Sequence, residues 1–210
     1  MRLFPLDRAG YPFILGALIP AVVAAVAGWW IAAALLAVAA AFFVFFFRDP
    51  ERRIARGDNL VLSPADGRVM VAGPAEAASP AGAWQQISIF LSPTNVHVNR
   101  IPASGRVTRV TYTPGKFLPA YRADAATANE RSEIWIEHGT QRVVARQIVG
   151  VLARRVVCRL TPGVDVQAGD RYGVMKFGSR MDVFVPTTAE LRVRVGDLVR
   201  GGETVIAVLH

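Results

Sequence analysis

Tyr172-Gly173-Val174-Met175-Lys176-Phe177-Gly178-Ser179-Arg180-Met181-Asp182 reads as two strand-like runs meeting at a Gly-Ser pair, about thirty residues before the C-terminus. Apolar, β-favouring residues on both sides of the pair predict extended chain rather than helix. Glycine at position 178 leaves its carbonyl unshielded and permits backbone angles that other residues avoid. A serine hydroxyl beside such a carbonyl can attack it, given a base for its proton and donors for the oxyanion.

The same texture extends through most of the chain. After Arg48-Asp49-Pro50, short β-type runs alternate with Gly and Pro punctuation. Strands are expected at Arg68–Ala72, Gln86–Leu91, Gly105–Thr113, Glu133–His138, Arg142–Val149, Val156–Leu160, Asp182–Val185, Leu191–Val195 and Thr204–Leu209. Phe117–Asn129 is expected to be loop with a helical turn. So many short strands and so little helix predict a mainly β fold, a compact catalytic domain of β barrel or sandwich-hybrid type over 48–210. Gly163–Asp170 and Val195–Glu203 share a pattern of hydrophobe, turn and glycine, as hybrid β-folds of the biotinyl and lipoyl type do.

The N-terminal part is different. Tyr11–Phe47 contains no charged residue. One membrane-spanning helix needs about 20 residues, so this run is nearly two short spans. Pro20 and Gly28-Trp29-Trp30 are natural interruptions, and helices are expected at about 12–27 and 30–47. Arg2 and Arg8 precede the run; Arg48, Arg52, Arg53 and Arg56 follow it. Basic residues on both flanks predict a membrane-embedded helical hairpin over 1–47 with both ends cytoplasmic. Whether it spans or only dips into the bilayer stays open.

The net charge is +8, and arginine supplies 22 of the 24 basic residues, the lysines being Lys116 and Lys176. Beside an apolar N-terminus, such a surface suits anionic lipid. No basic-aromatic interleaving points to nucleic acid. The single cysteine, Cys158, has no partner for an internal disulfide. Three scattered histidines and one cysteine lack the spacing of a metal site.

Four separated segments resemble the short form of the phosphatidylserine decarboxylase family, a pyruvoyl-dependent group made as proenzymes. They are Ser63-Pro64-Ala65-Asp66-Gly67; Leu91-Ser92-Pro93-Thr94-Asn95-Val96-His97-Val98-Asn99-Arg100; Gln147-Ile148-Val149-Gly150 with Ala153-Arg154-Arg155; and Gly169-Asp170-Arg171-Tyr172-Gly173 running into Lys176-Phe177-Gly178-Ser179-Arg180. The resemblance implies that the chain cuts itself between Gly178 and Ser179. It would leave a large chain 1–178 and a small chain 179–210 whose first residue has become a covalent pyruvoyl group. That ketone would form a Schiff base with the amine of phosphatidylserine and serve as the electron sink for loss of CO₂, giving phosphatidylethanolamine. The implied partners are phosphatidylserine and membrane lipid, and the working form a heterodimer of the two cleavage chains, with a higher oligomer left open. The implied location is the inner cell membrane, with the catalytic domain on the cytoplasmic side.

The resemblance also assigns residues. Ser179 is the nucleophile and cofactor precursor. His97 matches a family histidine implicated in acid–base work. Asp66 matches the family aspartate, and a carboxylate there could orient His97. Longer members carry a second histidine three residues on; this chain has Arg100, which leaves open which base drives self-cleavage. Lys176, Arg100 and Asn129 are substrate-binding candidates. Arg180 and Asp182 flank the nucleophile and could only shape the turn. Two other readings compete: a membrane-anchored biotinyl or lipoyl carrier, for which Met175-Lys176 would be the modified pair, and an accessory domain of a transport complex. Both predict an unbroken chain.

Overall fold

The uncharged run between Tyr11 and Phe47 folds as α1 (Tyr11–Val26) and α2 (Trp30–Phe46), interrupted at Gly28, in the computed structural model. The structure describes residues 5–75, 79–151, 156–176 and 178–210. α1 continues through Pro20 and stops where Gly28 N–H bonds Ala25 O and Trp29 N–H bonds Ala24 O, the paired bonds of a Schellman stop. Phe13 packs on Phe43 and Phe47, with ring centroids 5.6 and 5.4 Å apart. The outer faces stay apolar and uncovered: Val26 is 86 % and Ile31 81 % exposed. Arg8–Val26 is long and apolar enough to cross a membrane; Trp30–Phe46 is shorter.

The chain divides into two compact units, Met1–Glu51 and Arg52–His210. The second is mainly β, as expected. Its strands are β1 (Leu60–Leu62), β2 (Gly67–Pro74), β3 (Trp84–Leu91), β4 (Val98–Arg100), β5 (Gly105–Thr113), β6 (Arg131–His138), β7 (Gln141–Ile148), β8 (Val156–Cys158), β9 (Asp165–Val166), β10 (Arg171–Met175), β11 (Ser179–Pro186), β12 (Glu190–Leu191), β13 (Leu198–Val199) and β14 (Val205–Val208). One helical turn, α3 (Ala125–Ala128), lies in the expected loop. All pairings between strands are antiparallel. They form an eight-stranded sheet, β13-β2-β3-β11-β7-β6-β5-β9, and two three-stranded sheets, β1-β14-β12 and β4-β10-β8.

β11 lies inside the large sheet, with β3 on one side and β7 on the other. Its alternation sends Met181, Val183 and Val185 into the main core, with Ile87, Ile89, Val143 and Ala145. Arg180, Asp182 and Phe184 take the opposite face. The expected strand Leu191–Val195 is cut to Glu190–Leu191: Arg192 N–H still bonds Ile206 O, but the chain then turns, with Asp197 accepting from Arg194 N–H.

Candidate active site

Ser179 is the first residue of β11 and pairs with Leu91 at the end of β3. It is fully buried, and its Oγ has no hydrogen-bond partner among the described residues. A buried hydroxyl with nothing to bond costs free energy, so its presence calls for an explanation. Gly178, just before it, sits at φ +68°, in the left-handed region that favours glycine.

The chain that leaves Leu91 returns beside the same junction. Asn95 shapes the turn: its Oδ1 accepts from Ser92 N–H at 2.9 Å, and its own N–H bonds Ser92 O. His97 follows, and its carbonyl accepts from Met175 N–H at 3.2 Å. The pairings of Ser179 with Leu91 and of Met175 with His97 therefore tie the two ends of the turn 92–96 to β11 and β10. His97 is 1 % exposed. Its Nδ1 lies 2.9 Å from Asn95 O. A carbonyl can only accept, so Nδ1 carries a proton in this contact; Nε2 is also buried.

Asp66 is placed otherwise than the expected contact with His97. Its Oδ1 accepts from Gly201 N–H and its Oδ2 from Arg52 Nη2, both at 2.8 Å. The carboxylate fixes the turn before β14. Its segment reaches the histidine strand through the backbone, where Arg100 N–H bonds Pro64 O. Arg100 is buried and donates from Nη1 to Gly169 O at 2.9 Å. Asn129 is fully buried and clamps backbone: Nδ2 donates to Leu118 O and Val149 O, and Oδ1 accepts from Leu118 N–H. Lys176 is half-buried directly before the junction. Phe177 and Ala153-Arg154-Arg155 lie outside the described residues.

Three residues near the site gained no role from the sequence. Gln147 donates from Nε2 to Asn99 Oδ1 at 2.8 Å, both side chains being fully buried, and so ties β7 to β4. Gly150 packs directly against the Gly178 carbonyl. Their partners are distant in sequence, so only the pairing of strands reveals them. On the opposite face of β11, Arg180 and Asp182 form an ion pair of 2.6 Å. Nearby, burial and the like charge of Arg146 hold the Arg131 guanidinium below its ordinary pKa.

The mainly β domain thus holds a buried serine, with no hydrogen bond at its Oγ among the described residues, directly after a left-handed glycine, and a buried histidine whose carbonyl accepts from Met175. The sequence model of the family described as phosphatidylserine decarboxylase matches residues 39–207. The phosphatidylserine decarboxylase proenzyme of Chlorobium chlorochromatii (strain CaD3) is 46 % identical over 160 residues, 76 % of each chain. That of Geobacter metallireducens (strain ATCC 53774 / DSM 7210 / GS-15) is 40 % identical over 211 positions, 98 % of this chain and 97 % of its own. The chain belongs to the phosphatidylserine decarboxylase family, a family of carboxy-lyases.

Proposed function

We propose that this protein decarboxylates phosphatidylserine to phosphatidylethanolamine, with a pyruvoyl group that it makes from Ser179 by cutting its own Gly178–Ser179 bond. The observation that carries the proposal is the buried Ser179 Oγ, with no hydrogen-bond partner among the described residues and directly after the left-handed Gly178. The relatives' name, proenzyme, agrees with a chain that is processed.

In self-cleavage, Ser179 Oγ bonds to the Gly178 carbonyl carbon, the peptide C–N bond breaks, and the hydroxyl proton ends on the freed amine. Loss of the Ser179 α-proton then expels the Gly178 carboxylate and leaves a dehydroalanine, which takes up one water and releases ammonia. His97, whose Nδ1 donates to Asn95 O, is the base we assign to proton transfer at this junction. Once formed, the ketone supplies an electron sink for the carboxylate of an amine-bearing substrate. Lys176 is the cation we assign to the substrate's phosphate or carboxylate. Asp66, Arg100 and Asn129 bind through others: their bonds hold Arg52, Gly201, Gly169, Leu118 and Val149, so they position the site.

The two cleavage products stay together as a heterodimer. The small chain 179–210 begins with β11, which remains paired to β3 from Ser179 to Pro186 and to β7 from Arg180 to Phe184. The hairpin of residues 1–47 anchors the catalytic domain, 48–210, to the cytoplasmic side of the inner membrane. The exposed apolar faces of α1 and α2 and the arginines at both flanks support this placement, and a diacyl substrate stays in that bilayer.

Denaturing electrophoresis with intact mass tests the proposal. Wild type should give chains 1–178 and 179–210, the smaller with a blocked N-terminus; Ser179→Ala should give one chain. In detergent, the cleaved protein should release CO₂ from phosphatidylserine and not from free serine. An unbroken wild-type chain, or a cleaved one inert on phosphatidylserine, overturns it.

A further inference from the structure

Two glycines meet at the scissile carbonyl, and each is required for a different physical reason. At Gly178 a side chain would find open space, with nothing within 4 Å, but φ is +68°. Torsion demands glycine there. Gly150 is the reverse case. Its φ lies outside the left-handed region, yet a methyl built on it would overlap the Gly178 carbonyl oxygen and lie 3.0 Å from the carbonyl carbon. Space demands glycine there.

The residue before Gly150 is held by hydrogen bonds to Asn129 and Glu130. Val149 N–H bonds Glu130 O at 3.1 Å, and Val149 O accepts from Asn129 Nδ2 at 2.8 Å. Ala120 Cβ lies 3.5 Å from the same built methyl. Glu130 Oε1 also accepts from Val156 N–H at 3.2 Å. The bare Cα of Gly150 therefore presents a fixed surface, and the carbonyl that Ser179 must attack rests on it.

We infer that Gly150 is a positioning residue for self-cleavage, the seat that sets the Gly178 carbonyl in line for Ser179 Oγ, with Asn129 holding that seat in place. This rests on the proposed cleavage at Gly178–Ser179. The seat acts at the first step alone, where the C–O bond forms and the C–N bond breaks to give the ester. A displacement of about 1 Å at a reacting atom slows a step by ~100-fold, and an added methyl forces a shift of that order.

The test follows cleavage of the full-length detergent-solubilised chain by intact mass, for wild type, Gly150→Ala and Asn129→Asp, with thermal unfolding and neutral hydroxylamine as further readouts. Hydroxylamine cuts the ester and leaves the amide. Gly150→Ala should unfold cooperatively, cleave about 100-fold more slowly, and remain uncut by hydroxylamine, because its junction is still an amide. Asn129→Asp adds no atom at the carbonyl and should slow cleavage less. A folded Gly150→Ala that cleaves at the wild-type rate overturns the inference. So does one that accumulates hydroxylamine-sensitive ester, since the carbonyl was then attacked normally. If Gly150→Ala does not fold, an unchanged rate in folded Asn129→Asp overturns it and a slowed, hydroxylamine-resistant chain supports it. An uncleaved wild type would overturn the proposed cleavage itself; a cleaved wild type beside a normally cleaving Gly150→Ala overturns only the role of Gly150.

Discussion

Arg180 Nε donates to Asp182 Oδ1 across 2.6 Å, and both side chains are buried on the face of β11 opposite Ser179. Arg180 Nη2 also donates to Ser88 Oγ at 3.0 Å, which accepts from Gln86 Nε2 at 2.9 Å. β11, the strand that begins with Ser179, is therefore tied to β3 by a side-chain hydrogen bond as well as by its ladder. The second Asp182 oxygen has no hydrogen bond among the described residues.

Removing one member of such a pair strands the other. Asp182→Ala should lower unfolding free energy by about 3–5 kcal/mol, because Arg180 is left buried and unpaired. The double variant Arg180→Met/Asp182→Leu should lose less than Asp182→Ala alone, since neither charge remains. Denaturant unfolding of the Ser179→Ala background, which avoids cleavage, measures both. Equal losses would mean that the pair is hydrated despite its burial.

The Asp66–Arg52 pair predicts a different outcome. Arg52 and Asp66 side chains are 8 % and 15 % exposed, and Asp66 also caps Gly201. Asp66→Ala should cost about 1.5–3 kcal/mol, the range for hydrogen bonds to charged groups. A double-mutant cycle with Arg52→Ala should show coupling of the same sign. Because Asp66 reaches His97 only through backbone, Asp66→Ala and Arg52→Ala should slow self-cleavage alike. Loss of cleavage in Asp66→Ala with normal cleavage in Arg52→Ala would instead mean that the carboxylate acts on His97 directly.

That contrast marks how far the sequence could be read. Long periodic runs were legible: Gly105–Thr113 is β5 end to end, and the two helices fall within a residue of expectation. β1 and β13 are two or three residues long. Runs that short carry no period, and only their partners make them strands. The segments around Ser179 and His97 were legible as a family resemblance, although the pairing partners Leu91 and Met175 lie far along the chain. The contacts of Asp66, Asn129 and Gly150 were not, because what each touches lies 14 to 135 positions away or is backbone. An Asp-Gly turn looks the same whether its carboxylate meets a histidine or an arginine.

Tyr172 gives the alkaline limit. Its ring is fully buried on β10, and its hydroxyl donates to Met181 Sδ at 3.8 Å. Burial, with a smaller push from Cys158, holds the phenol well above its ordinary value near 10. The folded state thus keeps the proton after the unfolded chain releases it. Its contribution is complete below about pH 10 and declines as pH rises from there toward the folded value. In that window wild type should lose about 1.4 kcal/mol per pH unit more steeply than Tyr172→Phe. Urea titrations between pH 9 and about 11 check this, and parallel slopes would place the phenolate in water.

The helical unit yields a prediction about lipid. Val23 on α1 and Leu35 on α2 are 63 % and 68 % exposed, within runs that carry no charge. In water, so much uncovered apolar surface is unfavourable; in a bilayer it is matched to its solvent. An aspartate near the middle of an inserted helix costs roughly 2.5–3.5 kcal/mol. Val23→Asp and Leu35→Asp together should therefore move the protein from the liposome-bound to the free fraction in a flotation gradient, with self-cleavage unchanged because the junction lies in the other unit. Decarboxylation of phosphatidylserine in liposomes should fall with binding, while activity on detergent-dispersed substrate is retained. Liposome activity that survives the loss of flotation would show that the catalytic domain finds its lipid without the hairpin.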